Sequence, residues 1–149
     1  MDKQFLGNID TVQLPLSIYN QECIDSGFIN RLGGYKCSIC ARSLFLQGLI
    51  LQRSHEWPNR ISEQFRLHHA KYEAREWESY KDINEFFIAA SFKIALETPG
   101  IKSVVIGITS IKELMQITNA LQNCYDKLPY DELRSMKWKK VSELDPRFW

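Results

Sequence analysis

The chain has 149 residues, 44% of them hydrophobic and 25% charged, which is one domain's worth of an ordinary globular protein and excludes a disordered one. A formal charge of +1 gives no electrostatic reason to expect nucleic acid or an anionic membrane as partner. No apolar run reaches the ~20 residues of a membrane span, and the opening MDKQFLGN lacks the basic and apolar regions of a signal peptide, so the expectation is a cytoplasmic protein.

Asp2 to Leu6, followed by Gly7, has the pattern of the last turn of a helix with its C′ glycine, without a matching start. Residues 9–16, IDTVQLPL, predict a strand with Val12, Leu14 and Leu16 on one face and Gln13 on the other, and Pro15 marks where regular pairing ends. A helix is expected over 21–32, with Ile24, Phe28, Ile29 and Leu32 at helical spacing and Gly33 and Gly34 closing it.

Residues 36–43, KCSICARS, predict the second strand, and 44–51, LFLQGLIL, form an apolar stretch interrupted by Gln47 and Gly48 that needs cover. Cys37 and Cys40 spell C-x-x-C, but residues three apart on a strand point to opposite faces, so these thiols do not suit a shared metal or a disulfide. No second cysteine or histidine cluster completes a site. All four cysteines are read as small buried hydrophobes.

Pro58 and Asn59 open a helical region in which Ile61, Phe65, His68 and Tyr72 share one stripe. His68 is therefore expected to be packed, whereas His55 and His69 are expected to be solvated. Residues 71–78, KYEAREWE, read as a mixed-charge helix face. A further helix is expected from near Ser79, with Asp82 as cap partner and Ile83, Phe87, Ala90 and Ile94 turned inward, until Thr98-Pro99-Gly100 stops it.

Val104, Val105 and Ile106 form a β-branched run of the kind buried in a parallel sheet, within a third strand over 103–106 that Gly107 ends. Ser110 and Glu113 then make an S-x-x-E capping box for a helix reaching to about Gln122, with Leu114, Ile117 and Leu121 at apolar spacing. A strand, tight turn and capped helix in immediate succession present free N–H groups and a partial positive charge where a phosphate can sit. The tail from Pro129 to Trp149 reads as a short helix plus an arm packed on the body.

The alternation of strands and helices predicts βα units and a parallel α/β sheet. Three parallel strands leave two open edges, which invite association with another chain or with a second copy. Neither a nucleophile beside a histidine nor a metal-ligand spacing is present, so no residue is assigned a catalytic or metal-binding role.

Three segments, IDTVQLPLSIYN, ICARSLFLQGLIL and VVIGITSIKELMQITNA, resemble in order and separation the last three βα units of the aldo-keto reductases. RSLFLQGL and the tail DPRFW are similar to the bacterial branch of that family. The resemblance implies part of a (β/α)8 TIM barrel, spanning the sixth to eighth units, since a full barrel needs ~250 residues. It also implies an oxidoreductase that transfers a hydride between NADP(H) or NAD(H) and a carbonyl. The family's catalytic Asp, Tyr, Lys and His lie on earlier strands, with nothing here to carry them onto. On this reading the chain is truncated and inactive by itself, and an N-terminal half-barrel chain is its implied partner.

What the resemblance leaves to this chain is cofactor wall. It places Gln13 at the nicotinamide carboxamide, Arg42 against the nicotinamide plane, and Ser43, Leu44 and Gln47 along the pyrophosphate passage. Gly107, Ile108, Thr109, Ser110 and the following helix N-terminus take the adenosine end and its 2′-phosphate. Glu113 stands where many members carry an Arg or Gln for that phosphate. Gln116 and Ile117 replace a Glu and Asn one turn later, and Lys112 is the nearest compensating cation. Tyr19 is the one tyrosine expected near the catalytic mouth, without a Lys or His partner to lower its pKa.

Overall fold

The computed structural model describes residues 9–35, 37–74 and 82–148. The expected helix end at Asp2–Gly7, the helix start near Ser79 and the charged face from Arg75 to Glu78 lie outside the described residues.

The chain is mixed α/β. Strand β1 (Thr11–Pro15) is followed by short helices α1 (Glu22–Asp25) and α2 (Phe28–Leu32), strand β2 (Ser38–Arg42), helices α3 (Glu63–Glu73) and α4 (Ile83–Leu96), and strand β3 (Ile101–Val104). Helix α5 (Ile111–Asn123) and the short α6 (Tyr130–Ser135) complete it, with 3-10 turns between. The sheet is parallel throughout, in the order β1-β2-β3, with Gln13 opposite Cys40 and Cys40 opposite Ser103.

Helices cover one face of this sheet. Leu14, Ile39, Ala41 and Ile101 are buried on that side, in one cluster with Ile29 of α2 and the buried residues of α4. Along the same strands Thr11, Gln13, Ser38, Arg42 and Ser103 are exposed. The strands are thus buried mainly on one face, with Cys40 of the central strand the one buried residue on the other, which corrects the expectation of short, buried strands; that other face is made of small and polar side chains. Pro15 ends β1 as expected, and only Leu16 N–H continues the ladder, to the Arg42 carbonyl at 3.0 Å.

The helix expected over 21–32 is two helices. Gly27 sits between them at φ +67°, a left-handed conformation that glycine adopts at little cost and that ends the first helix after one turn. Helix α4 is buried from Phe86 to Ala95 without interruption, as expected of a helix apolar all round that lies between a sheet and other helices. Its one buried cation, Lys93, is satisfied by the Tyr125 carbonyl at 3.0 Å and by Glu97 at 3.1 Å. Asp82 caps α4 by accepting the Asn84 N–H.

β3 begins at Ile101, earlier than expected, because Gly100 at φ +97° turns the chain sharply from α4 into the sheet. The expected buried run of Val104 to Ile106 is not buried: Val105 is exposed while Val104 and Ile106 are half-buried. β3 is an edge strand with no described strand against its outer side, and Leu114 on the following helix α5 (Ile111–Asn123) is also exposed.

The tail holds the helices together. Asp25 accepts from Arg134 at 2.5 Å and Lys137 at 2.8 Å, and Gln21 donates to the carbonyls of Ile18 and Leu133. The side chains of Trp138 and Ser62 both donate to Glu143, which ties the arm to the start of α3. All four cysteines are free, with Cys23, Cys40 and Cys124 buried and Cys37 half-buried. Among the described residues no helix is long and apolar enough to cross a membrane.

Candidate functional site

Two turns at the C-terminal end of the sheet build the candidate site. The first follows β2. Ser43, Leu46 and Gln47 adopt φ of 62°, 47° and 54°, a left-handed curl that costs non-glycine residues roughly 1 kcal/mol each. Leu44, Leu46, Leu49 and Ile50 are buried in the same turn. Their burial offsets the backbone cost and fixes Ser43, Gln47 and Gly48 at the surface.

The second turn joins β3 to α5. The Val105 N–H reaches the Ala41 carbonyl at 2.8 Å, then Gly107 leads to the cap. Ser110 accepts the Glu113 N–H at 3.2 Å, as the sequence predicts. The Glu113 carboxylate reaches back one residue further than a capping box requires, accepting from the Thr109 N–H at 2.7 Å and the Thr109 hydroxyl at 2.8 Å. The backbone and hydroxyl bonds from Thr109 hold its pKa below the usual carboxylate range, so Glu113 is an anion near neutral pH. The first-turn N–H groups of Ile111 and Lys112 have no helical acceptor.

Between the turns lies a cavity of about 400 Å³. Ser43, Leu44, Gln47, Gly107, Thr109, Glu113 and Gln116, all expected cofactor residues, line it together. Sequence reasoning missed its apolar walls, Phe45, Leu51 and Ile88, because nothing local distinguishes an apolar residue facing a cavity from one facing the core. Gly107 stands open on the rim, since a Cβ there would meet no atom within 4 Å.

A second cavity of about 670 Å³ adjoins the first, sharing Ser43 and Gln47. It lies over the ends of β1 and β2, with Pro15, Asn20 and Arg42 on one side and Ser142, Asp145 and Arg147 of the arm on the other. Arg42 donates to the Ser43 hydroxyl at 3.0 Å. Asp145, hydrogen-bonded by Arg147, is held below its ordinary pKa. Asp145, Pro146 and Arg147 of the tail thus supply a cavity wall, a role the sequence did not suggest.

The remaining expected residues stand outside both cavities. Gln13 is exposed on the uncovered sheet face, Ile108 is exposed in the second turn, and the Ser110 side chain serves the cap.

Tyr19 and the histidines require correction. Tyr19 is fully buried and has a histidine partner: its hydroxyl lies 2.6 Å from Nδ1 of His69. Burial pushes the phenol pKa well up rather than down, so this is an interior hydrogen bond and not a proton donor at a mouth. His69, expected to be solvated, is fully buried between Trp57 and Phe87, with ring centroids 4.5 and 4.7 Å away. His68 is packed as expected, bonded to the Met136 carbonyl at 2.8 Å, and His55 is exposed. Among the described residues no group of three or more His, Cys, Asp or Glu is placed to hold a metal ion.

Chemically, the first cavity offers backbone N–H groups, hydroxyls and an apolar floor, with Glu113 its one charged wall; the second offers the Arg42 guanidinium and an Arg147–Asp145 ion pair. Such a pair suits an elongated ligand with an anionic middle. The chain matches no protein-family model, no curated protein and no solved structure.

Proposed function

We propose that this chain is the cofactor-binding C-terminal part of an aldo-keto reductase, one segment of a (β/α)8 barrel that holds a nicotinamide dinucleotide for hydride transfer to a carbonyl. The observation that carries the reading is the convergence on one cavity of residues 43, 44, 47, 107, 109, 113 and 116. They come from two turns more than fifty residues apart and were assigned to the cofactor from sequence similarity alone. The adjoining cavity with Arg42 supports it further, because a dinucleotide needs room on both sides of its pyrophosphate.

The residues fit such a group. Ser43, Gln47 and the N-terminus of α5 would hold the phosphates and the adenosine end, and Arg42 would lie by the nicotinamide. The bound dinucleotide would supply the hydride; a proton donor would come from outside this chain, since Tyr19 is sealed in the interior. Both Glu113 oxygens accept from Thr109, so the carboxylate is engaged at the turn, but its negative charge still disfavours a 2′-phosphate beside it. The dinucleotide is thus NAD(H) or NADP(H), with the balance set at this residue.

The test separates the two ends of the ligand. Titration of isotope-labelled chain with adenosine 5′-diphosphate should shift the amides of residues 107–116 and 43–48. The same titration with adenosine 2′,5′-diphosphate should give weaker binding that Glu113→Gln strengthens. Shifts spread evenly over the surface, or none at all in a folded chain, would sink the proposal.

A further inference from the structure

Among the described residues β1 and β3 each pair on one side only, so the described sheet ends in two parallel-type edges carrying unmatched N–H and C=O groups. The outer side of β3 continues into the largest exposed apolar surface of the described chain. Val105, Ile108, Ile111, Leu114 and Met115 are all at least 40% exposed, with Ile111 at 78%. At the opposite edge a groove of about 270 Å³ runs beside β1, lined by Leu14, Pro15, Cys23, Phe28 and Val141, with Glu22 on its rim.

Charges of opposite sign stand at the two edges, at both ends of the sheet. Asp10 immediately precedes β1 and Lys102 is near the start of β3, both at the N-terminal end of the sheet. Glu22 and Lys112 each stand in the first turn of the helix that follows these strands, at the C-terminal end. All four are exposed, and none has an ion-pair partner among the described residues.

We propose that a second copy of this chain docks head to tail, its β1 edge continuing the parallel sheet beside β3 and its α1–α2 groove taking the apolar face of α5. Asp10 and Glu22 of the incoming copy then meet Lys102 and Lys112. The alternative two-fold arrangement, β3 against β3, is antiparallel and sets each lysine against the other copy's lysines, which costs energy where the head-to-tail arrangement gains it. Each added copy leaves one β1 edge and one β3 edge free, so association is open-ended unless the ring closes. The proposal stands on these edges and charges and not on the dinucleotide; a partner carrying the remaining barrel strands would compete for the same two edges.

Charge reversal tests it at exposed positions, with circular dichroism confirming the fold of each variant. In sedimentation velocity the unaltered chain should gain mass with concentration. A Lys102→Glu, Lys112→Glu variant should dissociate at least about tenfold more readily, and so should an Asp10→Lys, Glu22→Lys variant. Mixing the two variants should restore association, since every contact in an alternating assembly again joins opposite charges. A chain that stays monomeric at every concentration overturns the proposal. So does a dimer indifferent to both reversals, or a mixture of variants that fails to recover.

Discussion

The Tyr19 hydroxyl and His69 form a closed hydrogen-bond chain in the protein interior. Nε2 of His69 lies 3.1 Å from the Gln52 carbonyl, which can only accept, so Nε2 carries the proton. Nδ1 therefore accepts from Tyr19 at 2.6 Å. Both polar ends of a neutral imidazole are satisfied, and a second proton on Nδ1 would displace the hydrogen bond that Tyr19 donates.

Acid should therefore destabilise the fold through His69. Burial lowers its pKa from the ordinary 6.5 to about 4, so the unfolded chain binds the proton more readily than the folded one. The resulting stability is complete above pH 6.5 and is lost progressively as pH falls toward 4. The loss is on the order of 3 kcal/mol. Urea denaturation at pH 7.5 and pH 5 should show the midpoint falling, and a His69→Gln variant, itself less stable, should show a flatter pH dependence over that window.

Removing the α5 cap should cost little. Ser110→Ala loses one hydrogen bond to the Glu113 N–H, about 1 kcal/mol. Thermal unfolding should register that loss, and the anion response of residues 107–116 should weaken with it because the helix N-terminus frays.

Gly100 tolerates no side chain. At φ +97° an added Cβ would lie 2.9 Å from Cγ2 of Ile29, and the backbone conformation is itself disfavoured for any other residue. Gly100→Ala should destabilise by about 2 kcal/mol or more, detectable as a lower denaturation midpoint. Gly107→Ala, with open space around it, should leave the midpoint nearly unchanged.

How much of this was legible in the sequence follows from how local each cause is. The centres of the first two strands, the stop at Pro15, the cap at Ser110 and the halt at Thr98-Pro99-Gly100 depend on neighbours in the chain, and the structure agrees with these, whereas the third strand lies two residues earlier than expected. Gly27 was not read as a break because Ile24, Phe28 and Ile29 keep helical spacing across it. His69 was misplaced because α3 is covered on two sides, by Trp57 on one and by Trp138 against its neighbour His68 on the other. A periodicity argument assigns a helix only one buried stripe. The partner of Tyr19 lies fifty residues away, beyond any local signal.

The exposure of Val105 and Leu114 has a different origin. Their sequence pattern is that of buried residues, and what would cover them is not supplied by this chain's own described elements. The candidate cavity was partly legible for the opposite reason: its polar rim is carried by two short motifs, whereas its apolar walls are shared with the core.

The assignment of the cavity to a dinucleotide is tested by titration of the purified, folded chain with NADH and with NADPH, following energy transfer from tryptophan to the nicotinamide. Saturable binding is expected, weakened by Arg42→Ala and by Gly107→Leu, which is expected to obstruct the cavity from a lining position where a Cβ would meet no atom within 4 Å. A folded chain that binds neither dinucleotide, or binds equally well with the cavity filled, would contradict the assignment of this surface to the cofactor.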